Sequence, residues 1–147
     1  MSSAGEALEL GTDFTPRFGP DGTLPVVATD VKNGAVVMLA YMNREALNAT
    51  IATGFATYWS RSRGSLWIKG ESSGNRQRVI ELRTDCDQDA IWITVDVEGH
   101  GASCHRGYHS CFYRRVPDAR LGGGVGDTSL EFTDAAPVFD PADVYKS

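Results

Sequence analysis

Three aspartates and three cysteines carry the most chemical promise in this sequence. Asp85, Asp87 and Asp89 alternate with Cys86 and Gln88. Carboxylates packed this closely repel one another unless a cation sits among them, and oxygen-only donors select hard ions such as Mg²⁺. A flat strand would separate Asp85 from Asp89 by about 13 Å, at roughly 3.3 Å per residue. The segment must therefore curl into a turn, or some contacts must run through water. The plainer alternative is a solvated acidic turn, because turns favour Asp in any case.

Where strand-like alternation survives, Cys86 faces away from its aspartate neighbours and is free to serve a second metal. Its candidate partners are Cys104 and Cys111, which flank a Gly- and His-rich loop. Three thiolates leave one of the four positions of Zn²⁺ open for water, the layout of a catalytic site. Three thiols are also an odd number, so internal disulfides cannot close them all. The competing interpretation is three inert, small apolar side chains. His100, His105 and His109 share the loop, and each is able to bind metal or exchange a proton near neutral pH. His105 adjoins Cys104 and is the best-placed candidate for acid–base work.

A third feature lies upstream. Residues 55–80 hold five basic side chains (Arg61, Arg63, Lys69, Arg76 and Arg78) against the single acid Glu71. Trp59 and Trp67 are interleaved with them. Guanidinium forks match phosphate oxygens, and aromatic faces stack on bases. Ser72 and Ser73 add hydroxyls in a Gly-flanked loop whose backbone N–H groups suit an anion. These residues read as a pocket for a phosphorylated nucleotide. The alternative is a hairpin with a solvated basic face and core tryptophans.

Positioning these groups falls to a chain of short elements. Residues 1–13 read as a polar leader, and they lack the basic start and apolar run of a signal peptide. Thr23–Val31 and Ala35–Tyr41 are strands joined through Asn33-Gly34, a pair that favours a type I′ hairpin turn. Residues 43–53 form a helix, with Asn43 as its N-cap, Met42 and Leu47 as a hydrophobic staple, and Gly54 as its stop. Ala56–Ser60 and Leu66–Lys69 make a second hairpin. Arg78–Arg83 and Ala90–Val97 are strands on either side of the acidic turn. Cys111–Val116 is a last strand. Residues 118–147 are a Gly-rich linker and a tail, with an apolar Pro137–Tyr145 piece able to dock. The expected fold is α+β, mostly antiparallel β with one main helix, in a domain spanning 14–117.

Four stretches now match a known pattern in order: MLAYMNREAL (38–47), TGFATYWSRSRGSLWIKGESSG (53–74), DCDQDAIWITV (85–95) and CHRGYHSCFYRR (104–115). From about residue 24 to residue 116 the chain resembles the phosphoribosyl-AMP cyclohydrolase family of histidine biosynthesis. The resemblance implies hydrolysis of the purine ring of 1-(5-phosphoribosyl)-AMP at its N1–C6 bond, giving a formimino-type carboxamide ribonucleotide. It implies one Zn²⁺ per subunit on Cys86, Cys104 and Cys111, and one Mg²⁺ per subunit on Asp85, Asp87 and Asp89. It further implies an intertwined homodimer, with the first cysteine from one chain and the other two from its partner. Charge and adjacency add His105 for proton transfer. They also place Arg61, Arg63, Lys69, Ser72 and Ser73 at the phosphates and Trp59 or Trp67 at the base. Arg106 and Ser72 stand where the family usually has Thr, and His100 where Thr is frequent; none of the three removes a metal ligand.

Composition excludes several other classes. Fourteen Lys and Arg against 19 Asp and Glu give a net charge of −5. That argues against polymeric nucleic acid or an anionic membrane surface as partner. No run approaches 18 apolar residues, so no membrane span is expected. A cytoplasmic address, where thiols stay reduced, follows. A zinc nucleobase deaminase would need His-x-Glu followed by Pro-Cys-x-x-Cys, and neither occurs. A non-enzymatic zinc module would instead close its site with a fourth protein ligand.

Overall fold

The computed structural model describes residues 3–126, 128–134 and 136–144. Its centre is a four-stranded sheet in which Val36–Asn43 and Gln77–Thr84 form the edges and Thr23–Asp30 and Ile91–Val97 the middle. Strand β1 (Thr23–Asp30) is apolar from Leu24 to Ala28 and is buried on most of its residues. Such a run suits a central strand covered on both faces. β1 pairs antiparallel with β2 (Val36–Asn43) and parallel with β6 (Ile91–Val97). Pro25 has no N–H to give; its position precedes Val26, where the pairing with β6 begins, so no bond on that side is lost. β6 alternates strictly, with Ile91, Ile93, Val95 and Val97 turned inward. β5 (Gln77–Thr84) runs antiparallel to β6 at the edge. The fold is thus α+β and mostly antiparallel, with one parallel ladder at its heart.

Helix α2 (Arg44–Thr53) matches its sequence signals. The Asn43 side-chain oxygen accepts the Ala46 N–H at 2.8 Å. Gly54 takes φ 80°, and its N–H returns to the Thr50 carbonyl at 2.9 Å. Met42 and Leu47 flank the cap and are both buried in the core. After α2 come β3 (Thr57–Ser60) and β4 (Ser65–Ile68), an antiparallel hairpin. Together these elements cover the sheet over one apolar core that includes Leu24, Val26, Val37, Met42, Tyr58 and Ile93.

Two local expectations fail for physical reasons. The β1–β2 connection is a five-residue loop rather than a two-residue type I′ turn. A type I′ turn needs positive φ at both central residues, and Asn33 is not among the positive-φ residues, whereas Gly34 is, at 72°. Asp30 and Asn33 instead accept the N–H groups of Lys32 and Ala35, two residues on, so side chains shape the loop. The Cys111–Val116 strand shrinks to β7 (Arg114–Arg115), paired with β8 (Glu131–Phe132) outside the main sheet. Its first residue is diverted, because the Cys111 N–H bonds to the Val37 carbonyl at 2.7 Å.

The chain ends also take shape. Helix α1 covers Ser3–Leu10. A short helix, α3 (Pro141–Val144), closes the described tail. Phe139 docks as expected of the apolar tail piece, buried and stacked on His100. Tyr145 lies outside the described residues.

One buried polar chain ties the core to the site. The Tyr58 hydroxyl donates to Gln77 Oε1 at 2.6 Å, and Gln77 Nε2 donates to Ser103 Oγ at 3.0 Å. Burial pushes the Tyr58 phenol far above its ordinary pKa, so it remains a donor. Tyr58→Phe would leave Gln77 Oε1 buried without its donor. Urea denaturation is expected to show a loss of roughly 1–3 kcal/mol with an unchanged m-value.

Candidate functional site

The acidic segment curls as its carboxylates require. The Gln88 N–H reaches the Asp85 carbonyl at 3.2 Å, and Asp85 Oδ1 accepts the Asp89 and Ala90 N–H groups at 3.0 and 3.1 Å. A turn so closed brings one carboxylate oxygen from each of Asp85, Asp87 and Asp89 within 4.8 Å of the others. Hydrogen bonding from Asp87 and Asp85 raises the Asp89 pKa above the ordinary carboxylate value. Burial works to raise Asp85 as well, but the Ala90 N–H and hydrogen bonds from the Asp89 and Asp87 side chains outweigh it and hold Asp85 low. Asp85 and Asp89 are thus pushed in opposite directions, as crowded like charges are. Oxygen donors at this spacing fit a hard divalent ion.

Cys104 and Cys111 are brought together by a folded-back loop. The Ser103 N–H donates to the His109 carbonyl at 3.1 Å, and the Cys104 N–H to the Tyr108 carbonyl at 3.2 Å. Gly107 makes the turn at φ 88°, where an added Cβ would lie 2.2 Å from the Phe139 carbonyl oxygen. Only glycine fits beneath the docked tail there. Cys104 is buried. The Cys111 residue is exposed, but its Sγ turns toward the Ser103 carbonyl at 3.9 Å. That partial burial, with Cys104 alongside, pushes the Cys111 thiol up to about 11. The Arg106 N–H donates to Cys104 Sγ at 3.4 Å. Soft sulfur donors of this kind suit Zn²⁺.

Cys86 does not join them within one chain. It lines a cleft of about 310 Å³ beside Leu8, Asp13, Asp85 and Gln88. Among the described residues, the three aspartates form the only metal-sized cluster of three or more acids, cysteines or histidines.

The basic stretch builds two neighbouring clefts that share Arg63 and Trp67. One, of about 730 Å³, is lined by Trp59, Arg61, Arg63 and Trp67, together with Asp21 and Tyr41. The other, of about 620 Å³, is lined by Arg63, Trp67, Lys69, Ser72, Ser73 and His105. All seven side chains expected at a nucleotide therefore line one cleft or the other, and His105 joins the second. Arg61 lies over the Tyr41 ring, 3.5 Å from its centroid. Lys69 differs from the arginines in being buried, with Nζ 5.5 Å from the Trp67 centroid. Burial lowers its pKa, and the charges of Cys111 and Cys104 oppose that shift.

Several contributors were not apparent in the sequence. Asp30 is buried, and its Oδ2 lies 2.7 Å from His109 Nε2. Burial acts to raise its pKa, but the hydrogen bonds from His109 and the Lys32 N–H prevail and hold it low. This pair fastens the thiol loop to the end of β1, one residue past a bulge between Ala28 and Thr29. Bulges re-aim side chains in this way. Gln77 and Gln88 are likewise buried polar residues, and neither carries a motif.

Fold and site together define an α+β protein with one oxygen and one sulfur donor set and a cationic, aromatic cleft. Comparison with known proteins narrows this. Residues 38–113 match the family model described as phosphoribosyl-AMP cyclohydrolase. The phosphoribosyl-AMP cyclohydrolase of Nitrobacter hamburgensis is 54% identical over 144 residues, covering 98% of this chain and 94% of that protein. Its counterpart in Bradyrhizobium diazoefficiens is 56% identical over 146 residues, covering 99% of each chain. That of Sinorhizobium fredii is 55% identical over 138 residues, covering 94% of this chain and 88% of its own. The chain belongs to the phosphoribosyl-AMP cyclohydrolase family.

Proposed function

We propose that this protein hydrolyses the purine ring of 1-(5-phosphoribosyl)-AMP in histidine biosynthesis. Water adds its oxygen to C6, the N1–C6 bond breaks, and N1 gains a proton. Substitution at N1 leaves the ring electron-poor and C6 electrophilic, so the reaction needs a good nucleophile and a proton carrier. One observation carries the reading: a member of this family lines a cleft with Arg63, Lys69, Ser72, Ser73 and His105.

Each side chain has a task within it. Arg61 and Arg63 hold the phosphates through paired N–H donors. Ser72 and Ser73 offer hydroxyls to the same oxygens. Trp59 or Trp67 stacks on the base. His105 accepts a proton from the attacking water and returns it to the N1 side. Cys104 and Cys111, with Cys86 of a second copy, would hold Zn²⁺, which supplies Lewis-acid activation of water when bound. Asp85, Asp87 and Asp89 would hold Mg²⁺, which supplies positive charge for oxygen ligands.

The homodimer belongs to this proposal. Cys86 sits on a different cleft from the Cys104–Cys111 pair, so a three-thiol site needs a second chain. Leu39, Leu66, Ile68, Ile80 and Trp92 are large apolar residues left exposed on strands, available for that contact. Among the described residues, no helix is long and apolar enough to cross a membrane. Three thiols kept free for metal suit the reducing cytoplasm.

The test is an absorbance assay of ring opening with chelator-stripped protein. Turnover is expected to vanish on stripping and to return with Zn²⁺, with Mg²⁺ needed for the full rate. No turnover under any metal condition would overturn the proposal.

A further inference from the structure

We infer that Gln88 is a positioning residue, whose buried amide anchors the N-terminal segment to the Asp85–Asp89 turn and so holds the three carboxylates together. The inference rests on reading that turn as a divalent-cation site, and concerns what keeps it assembled.

Gln88 stands out twice. It is the only non-glycine residue with positive φ, 59°, among the described residues. It is also buried, at 4% exposure, between the half-buried Asp87 and the exposed Asp89. A side chain in left-handed conformation persists where its surroundings over-determine it, and such positions gather at functional sites. Here the surroundings are residues 8–17. Gln88 Oε1 accepts the Thr15 N–H at 2.8 Å. Nε2 donates to the Leu8 carbonyl at 3.1 Å and to the Asp13 carbonyl at 3.2 Å. The Gln88 carbonyl accepts the Arg17 N–H at 2.7 Å. One residue thus receives or makes four hydrogen bonds to a segment more than 70 positions away in sequence.

The need for an anchor follows from charge. Three carboxylates within 4.8 Å drive one another apart. The turn's own N–H groups bond chiefly to Asp85, whereas Asp87 and Asp89 meet mainly other carboxylates. Gln88 lies between those two. The segment it secures also forms a wall of the Cys86 cleft, through Leu8, Gly11, Asp13 and Phe14. The N-terminal segment is therefore a working part of the acidic site.

The experiment measures Mn²⁺ binding to the full-length, metal-stripped protein by electron spin resonance. It compares wild type with Gln88→Gly, Gln88→Glu and Asp87→Asn. Limited trypsin cleavage after Arg17 is followed in parallel by mass spectrometry. Glycine relaxes the positive φ, so Gln88→Gly should fold, with circular dichroism as the check. It is expected to bind Mn²⁺ roughly 10–100-fold more weakly, the range seen when supports of metal ligands are lost, and to be cleaved faster at Arg17. Gln88→Glu adds negative charge and keeps the Thr15 acceptor but loses both donors. Charge alone would make it bind more tightly; anchoring makes it bind more weakly, which is the expected result. Wild type that binds and Asp87→Asn that does not, with Gln88→Gly equal to wild type, would overturn the inference alone. Wild type that fails to bind would overturn the cation site and the inference with it.

Discussion

Cys86→Ala and Cys104→Ala chains are each expected to lack turnover, and mixing them is expected to restore about a quarter of wild-type activity, as random pairing in a two-fold dimer dictates. The proposed site takes Cys86 from one chain and Cys104 with Cys111 from the other. A homodimer of either variant then has no complete set of thiols. A mixed dimer has one site missing both substituted cysteines and one site with all three intact. Half of randomly formed dimers are mixed, and half of their sites are whole. The structure motivates the test, because Cys86 lies on the cleft beside Leu8 and Asp13 whereas Cys104 and Cys111 share a loop near Lys69. Co-refolding from denaturant ensures exchange, and size-exclusion chromatography reports the dimer. Mixed dimers without activity would instead place the zinc ligands within one chain.

What the sequence revealed, and what it concealed, divides along a physical line. Local signals were legible. Asn43 and Gly54 bracket α2 because capping is settled within a few residues. The acidic turn was legible because three carboxylates at alternate positions restrict their own backbone. The basic hairpin was legible because Arg61, Arg63 and Trp67 lie within a few residues of one another. Long-range polar pairs were not. Asp30 meets His109 across 79 positions, and Gln88 meets Leu8 across 80. Neither partner's type or spacing announces the other, since such pairs depend on which strands lie side by side. The parallel β1–β6 ladder was hidden for the same reason. The Asn33-Gly34 signal misled because Asp30 offered a competing side-chain acceptor within the same loop.

Lys69→Met is expected to lower kcat by roughly 100-fold with little change in KM, whereas Arg61→Ala and Arg63→Ala should chiefly raise KM. Charge and adjacency alone group all three at the phosphates. Their surroundings separate them. Arg61 and Arg63 are exposed and line open clefts. Lys69 is only 8% exposed, and its charge interacts with Cys111 and Cys104. Buried beside both sulfurs, it is placed to favour the deprotonated form of Cys111. Its cation already works against the burial that lifts the Cys111 thiol to about 11. Methionine keeps the length and apolar stem but removes the charge, so the Cys111 thiol would hold its proton more tightly. Metal uptake by thiols must displace such protons, so Zn²⁺ binding to stripped Lys69→Met should require a higher pH than wild type. The expected signature is thus a fall in kcat joined to that shift, measured by proton release on Zn²⁺ titration. A raised KM with kcat and Zn²⁺ uptake unchanged would return Lys69 to the phosphates. Restored function in Lys69→Arg, which keeps the charge in a larger group, would show that charge rather than ammonium chemistry is what the thiol pair requires.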